Sequence, residues 1–168
     1  MGVFNGVSEI YWIGTRPKVT LAVVSCPRGN GRLKSDLVEL KIGGIDTIVS
    51  MLEPDEAAWL GLAEEEKLAN EVGMNFLSFP IPDANVPSDV HRFEVFITDL
   101  ARRVIQGENV GVHCRGCIGR STVIAACTLI RLGFAPDISL ASVQAARGCP
   151  VPDTVAQERW ILSYRPLL

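Results

Sequence analysis

An α/β fold, a three-layer sandwich with a central, mostly parallel sheet flanked by helices, is predicted by three features of the sequence. Short apolar runs, DTIVSM at 46–51, NFLSF at 75–79 and NVGVH at 109–113, lack the alternation of a half-exposed strand and read as strands covered on both faces. Segments of helical character separate them, the order expected of a parallel sheet with crossover helices. The run TVIAACTLIRL at 122–132 is apolar nearly all round, which suits a helix buried in the middle of a domain.

Taken in order, residues 9–14 (EIYWIG) and 19–24 (VTLAVV) are β-branched and aromatic runs that suit a hairpin-like opening, ended by Pro27, Gly29, Asn30 and Gly31. Ser35 or Asp36 is placed to cap a helix running to about Ile42, stopped by Gly43 and Gly44, before the strand at 46–51. Residues 54–60 and 63–72 carry Glu-rich first turns, and Gly73 stands where a helix ends. After the strand at 75–79, PIPDANVP at 80–87 holds three prolines and must be a loop. Asp89 opens a helix whose Val90, Phe93, Ile97, Leu100 and Val104 recur at three- and four-residue steps, and Gly107 stops it. The strand at 109–113 leads straight into Cys114, and helices near 138–146 and 155–164 finish the chain.

A chain of 168 residues is short for two independent cores, so 1–168 is expected to form a single domain. Sixteen Lys plus Arg against nineteen Asp plus Glu leave a formal charge of −3 with no basic run, which disfavours nucleic acid as a partner. Apolar stretches break within about ten residues, well below the roughly 20 that span a bilayer. With no basic-then-apolar leader at its N-terminus, the chain reads as cytoplasmic. Five cysteines, Cys26, Cys114, Cys117, Cys127 and Cys149, are an odd number and argue against a disulfide scaffold. Cys114 and Cys117 have CxxC spacing, but with only His113 and distant His91 to add, a zinc site is a poor reading and no metal or other cofactor is expected.

Chemistry concentrates in HCRGCIGRS at 113–121, between a strand and a helix N-terminus. Such a loop turns its backbone N–H groups inward, and with the helix dipole these make an anion cradle from Arg115, Gly116, Cys117, Ile118 and Gly119. Gly116 and Gly119 are expected to let the backbone curl. At the far lip, the Arg120 guanidinium grips two oxygens of a phosphate in a planar fork. At the near lip, the helix terminus and Arg120 lower the Cys114 pKa from about 8.5 and make it a nucleophile in line with the phosphate.

Cys114, five residues and Arg120, flanked by His113 and Ser121, resemble the signature of the cysteine-based protein tyrosine phosphatases. The short length and the lack of an extended recognition loop point to the small dual-specificity-like group. That resemblance implies a protein tyrosine phosphatase-like fold and a phosphocysteine intermediate on Cys114, with Ser121 assisting departure of the thiolate. It implies a general acid about 30 residues upstream, and Asp83 lies 31 residues before Cys114 in the Pro-rich loop. Downstream, VPDTVAQ at 151–157 is similar to a family segment in which Gln157 would orient the attacking water.

Bland readings stand beside these. Asp83 is also a turn former, and Asp89, an alternative acid, more naturally caps the next helix. His113 reads as a buried support for the loop. Arg115 either meets acidic flanks of a substrate or is solvated, and Arg28 and Arg32 either border the site or are loop residues. The family usually has Gly where this chain has Cys117. If that position requires a positive φ, a Cβ there costs on the order of 1 kcal/mol, and Cys117 is also placed to close a reversible disulfide on Cys114.

The implied activity is removal of phosphate from phosphotyrosine, and from phosphoserine or phosphothreonine, in a phosphorylated protein or peptide. Phosphate, vanadate and tungstate should compete at the cradle. A phosphoinositide or small-molecule phosphatase, a non-catalytic phosphopeptide-binding module and a rhodanese-like sulfurtransferase are the alternatives. The sequence leaves the oligomeric state open.

Overall fold

The structure, a computed structural model, describes residues 8–167. The start of the chain, where a leader would fall, lies outside the described residues. Strands β1 (Ile10–Trp12) and β2 (Leu21–Val24) form the opening hairpin, antiparallel with Tyr11 opposite Val23. Helix α1 (Leu33–Ile42), β3 (Thr47–Ser50), α2 (Pro54–Trp59), α3 (Glu65–Glu71) and β4 (Asn75–Ser78) follow. Then come α4 (Val90–Ile105), β5 (Val110–His113), α5 (Arg120–Arg131), α6 (Pro136–Arg147) and α7 (Val155–Ser163).

The sheet runs β1-β2-β5-β3-β4, and every pairing except that of β1 is parallel. β2, β3 and β5 are buried at every residue, which is why their sequences show apolar runs with no alternation. Neighbouring strand residues serve opposite layers. Leu21, Val23 and Val49 join the core beneath α4, α5, α6 and α7, whereas Ala22, Val24 and Ile48 join a second core beneath α1 and α3. Helix α5 is buried along its length up to Ile130, packed among α4, α6 and α7.

Three local expectations change. Helix α1 begins two residues before Ser35, and Asp36 is no cap: it is buried and accepts from the Arg28 backbone N–H at 2.8 Å and from its guanidinium at 2.6 Å. That pairing also makes Arg28 a structural residue. Asp89 does cap α4, accepting from the Arg92 N–H at 2.9 Å. Val90, however, leaves the apolar stripe and is exposed, since α4 meets the core from Phe93 onward. Among the described residues no helix is long and apolar enough to cross a membrane.

Candidate active site

Ligands of parallel α/β sheets gather at the carboxyl ends of the strands. Here β3 leads to Glu56 on α2, β4 to the loop carrying Asp83, and β5 directly to Cys114. The last two meet at a cavity of about 220 Å³ lined by Asp83, Cys114, Arg115, Arg120, Asp153 and Gln157, and Glu56 reaches it through Arg120.

Arg120 is the first residue of α5 and is 1% exposed. Its Nη1 and Nη2 donate to the two Glu56 carboxylate oxygens at 2.7 and 2.8 Å, and Nη1 also donates to the Ile81 carbonyl at 3.0 Å. Asp83 Oδ1 stands 3.1 Å from Nη2. These contacts fix the guanidinium plane, yet Nε is buried with no hydrogen-bond partner among the described residues. A buried, unpaired N–H of a cation beside a cavity is costly unless an anion takes it up. Two hydrogen bonds from Arg120, opposed by burial, hold the Glu56 carboxyl below its ordinary range.

Cys114 is nearly buried, and its thiol is held well below the ordinary cysteine range. The largest cause is a hydrogen bond from the Cys117 thiol. Burial opposes it, while the Ser121 hydroxyl, the Ser121 N–H at the start of α5 and the Arg120 charge add to it. Ser121 Oγ lies 3.6 Å from the Cys114 sulfur. Cys117 is pushed in the opposite direction, first by that same hydrogen bond and then by burial.

The loop's left-handed residue is Cys117, at φ 54°, rather than Gly116 or Gly119. Its sulfur sits 3.0 Å from the Val24 carbonyl as well as within reach of Cys114, so its single S–H serves one acceptor at a time. Gly119 is needed for close approach: a Cβ there would stand 2.6 Å from Gln157 Oε1. Arg147 closes the loop from behind, donating to the Cys117 carbonyl at 2.9 Å while lying over the Tyr11 ring.

His113 is wholly buried, donating through Nδ1 to the Cys114 carbonyl at 3.2 Å and through Nε2 to Glu65 at 2.6 Å. Burial pushes its pKa down, but the Glu65 carboxylate and contacts with Cys26 more than reverse this, so the imidazole is held protonated well above its usual range. Glu56 and Glu65, like Asp153 at the cavity wall, are site residues that sequence reasoning missed. Each glutamate sits inside a Glu-rich helical turn, where nothing marks one carboxylate as buried and its neighbours as solvated.

Arg115 is exposed at the cavity wall, with its guanidinium over the exposed Trp59 ring at 4.9 Å. Gln157 is fully buried, and its amide joins the two loops that flank the cavity. Oε1 accepts from the Asp153 and Thr154 N–H groups at 3.2 and 3.1 Å, and Nε2 donates to the Asn85 carbonyl at 3.1 Å. Cys127 is buried in α5, and all five cysteines are free thiols. No group of three or more His, Cys, Asp or Glu side chains among the described residues is arranged to hold a metal.

The fold is shared with the kinase associated phosphatase, solved with its catalytic-site cysteine replaced by serine, at a TM-score of 0.83 and 22% identity over 92% of each chain. It is also similar to Tk-PTP in its active form, with a TM-score of 0.71 and 25% identity over 91% of this chain and 92% of that one. In sequence the chain is 26% identical over 138 residues to cyclin-dependent kinase inhibitor 3 of Rattus norvegicus, a match covering 81% of this chain and 65% of the relative's length. The matched family model, described as the Swiss Army Knife protein, DSP-PTPase phosphatase domain, spans residues 11–159, and the chain belongs to that family.

Proposed function

We propose that the chain is a cysteine-dependent, metal-independent phosphomonoesterase acting on phosphotyrosine, and on phosphoserine or phosphothreonine, in protein or peptide substrates in the cytoplasm, with residues 1–168 as one catalytic domain. The observation that carries the reading is the pairing of a thiol shifted well toward its thiolate form with a rigidly braced arginine, both residues lining one small cavity. The Cys114 thiolate attacks phosphorus while Arg120 and the backbone of residues 115–119 take the phosphoryl oxygens. Asp83 protonates the departing oxygen, a contribution of about 10²- to 10⁴-fold. Ser121 then hydrogen-bonds the sulfur as the thiolate leaves, and His113 shapes the loop through the Cys114 carbonyl. Arg115 is the only other arginine or lysine between 113 and 121, which favours a singly phosphorylated side chain over a polyphosphorylated inositol.

The test is hydrolysis of p-nitrophenyl phosphate in EDTA. The wild type should turn over with competition by phosphate, vanadate and tungstate. Cys114→Ser should be inactive, and Asp83→Ala should be slowed about 10²-fold or more. An inactive wild type, or turnover that survives in Cys114→Ser, overturns the reading. Thiosulfate-dependent consumption of cyanide would show a sulfurtransferase instead.

A further inference from the structure

Two carboxylates line the Cys114 cavity, Asp83 from the β4–α4 loop and Asp153 from the α6–α7 loop, and only the first has a role in cleavage of the ester. Asp153 rests against the catalytic loop: its Cβ lies 3.0 Å from where a Cβ on Gly119 would stand. A nucleophilic water gives one proton to a base and is oriented by a second acceptor on its other O–H, which leaves a lone pair facing phosphorus. Gln157 cannot supply that acceptor. Its carbonyl already receives two backbone N–H groups, and its amide nitrogen is tied to Asn85. A remaining N–H could donate to one of the water's two lone pairs, but it accepts neither of the water's O–H groups.

We propose that Asp153, rather than Gln157, positions the water that hydrolyses the phosphocysteine, an inference resting on the reading that Cys114 forms one. The water oxygen bonds to phosphorus as the P–S bond breaks, and that electron pair leaves on Cys114 as thiolate. One water proton passes to Asp83, which became a carboxylate on protonating the leaving group. The other O–H is held by the Asp153 carboxylate and remains on the product phosphate. Gln157 acts as the clasp that joins the Asp153 turn to the Asp83 loop.

Stopped-flow hydrolysis of p-nitrophenyl phosphate, with acid quench of ³²P-labelled phosphoenzyme from an aryl phosphate, separates the two half-reactions. Asp153 is exposed, so its replacement should leave the fold intact. Asp153→Ala should release one equivalent of nitrophenol at a near wild-type rate, then turn over at least about 10-fold more slowly with phosphoenzyme accumulated. Asp153→Glu should recover part of the steady-state rate. Unchanged steady-state turnover in Asp153→Ala, or a nitrophenol burst slowed as much as turnover, overturns the role of Asp153 and leaves the phosphocysteine reading standing. If the wild type forms no phosphoenzyme while it turns over, that reading falls and this inference with it.

Discussion

Glu56 accepts both terminal nitrogens of Arg120, at 2.7 and 2.8 Å, across 64 residues of chain. The paired carboxylate engages both terminal nitrogens and leaves Nε buried with no hydrogen-bond partner among the described residues. An arginine on a flexible stem would lose rotamer entropy on gripping an anion. Here that ordering has already taken place on folding, so less of it opposes binding.

Replacing Glu56 with Gln should therefore weaken anion binding without touching the nucleophile. Gln offers one acceptor and one donor to two donor nitrogens, and a hydrogen bond to a charged group is worth about 2 kcal/mol. That loss corresponds to about a 30-fold drop in kcat/KM and a similar weakening of phosphate inhibition. Glu56→Ala strands the buried guanidinium and should cost about 3–5 kcal/mol in urea unfolding, toward the lower end because Glu56 is 14% exposed. An unchanged phosphate inhibition constant in Glu56→Gln would show that the brace does not preorganise the clamp.

The Cys114 thiolate depends on its donors. Iodoacetate should alkylate Cys114 with a pH midpoint well acid of an ordinary cysteine. The midpoint should move up in Cys117→Gly, which removes the largest stabilising contact, and by a smaller step in Ser121→Ala. Cys117→Gly also relieves a Cβ at φ 54°, a gain on the order of 1 kcal/mol. Its thermal stability should therefore hold or rise while its thiol becomes less acidic. A midpoint that stays fixed in both variants would leave the helix terminus and Arg120 as the only causes.

The buried Glu65–His113 pair predicts the sign of a pH effect on stability. The folded-state pKa of His113 lies above its unfolded value near 6.5. Its contribution is then complete below about pH 6.5 and is lost as pH rises through the folded pKa. Urea midpoints should fall on this limb in the wild type. Glu65→Gln should flatten the limb and lower stability most at the acid end, where the wild type has the full pair. A limb of the same slope in Glu65→Gln would assign the pH effect to other groups.

The buried strands and the central helix were legible because burial on both faces leaves a direct trace in sequence, as in DTIVSM and TVIAACTLIRL. The loop at 113–121 was legible because nucleophile, flanking His and Arg are adjacent in the chain. What remained hidden is carried by pairs far apart in sequence. Glu56 reaches Arg120, Glu65 reaches His113 and Asn85 reaches Gln157, and each partner looks locally like any surface Glu or loop amide. The same blindness made Asp36 look like a helix cap, when burial beside Arg28 decides its role.

The acidic Cys114 thiol makes the site sensitive to peroxide, and the Cys117 sulfur, 3.7 Å from the Cys114 carbonyl in the same buried loop, is placed to resolve the oxidation. Hydrogen peroxide oxidises the Cys114 thiolate to a sulfenic acid and is itself reduced to water. The Cys117 thiol then attacks that sulfur and expels a second water, leaving a Cys114–Cys117 disulfide in place of the irreversible sulfinic acid. Peroxide should inactivate the wild type, and dithiothreitol should restore most of its activity. Intact mass should show the loss of two hydrogens and no added oxygen. Cys117→Gly should be inactivated with added oxygen and recover poorly. Equal recovery of the two proteins would mean that Cys117 shapes and acidifies the loop without protecting it.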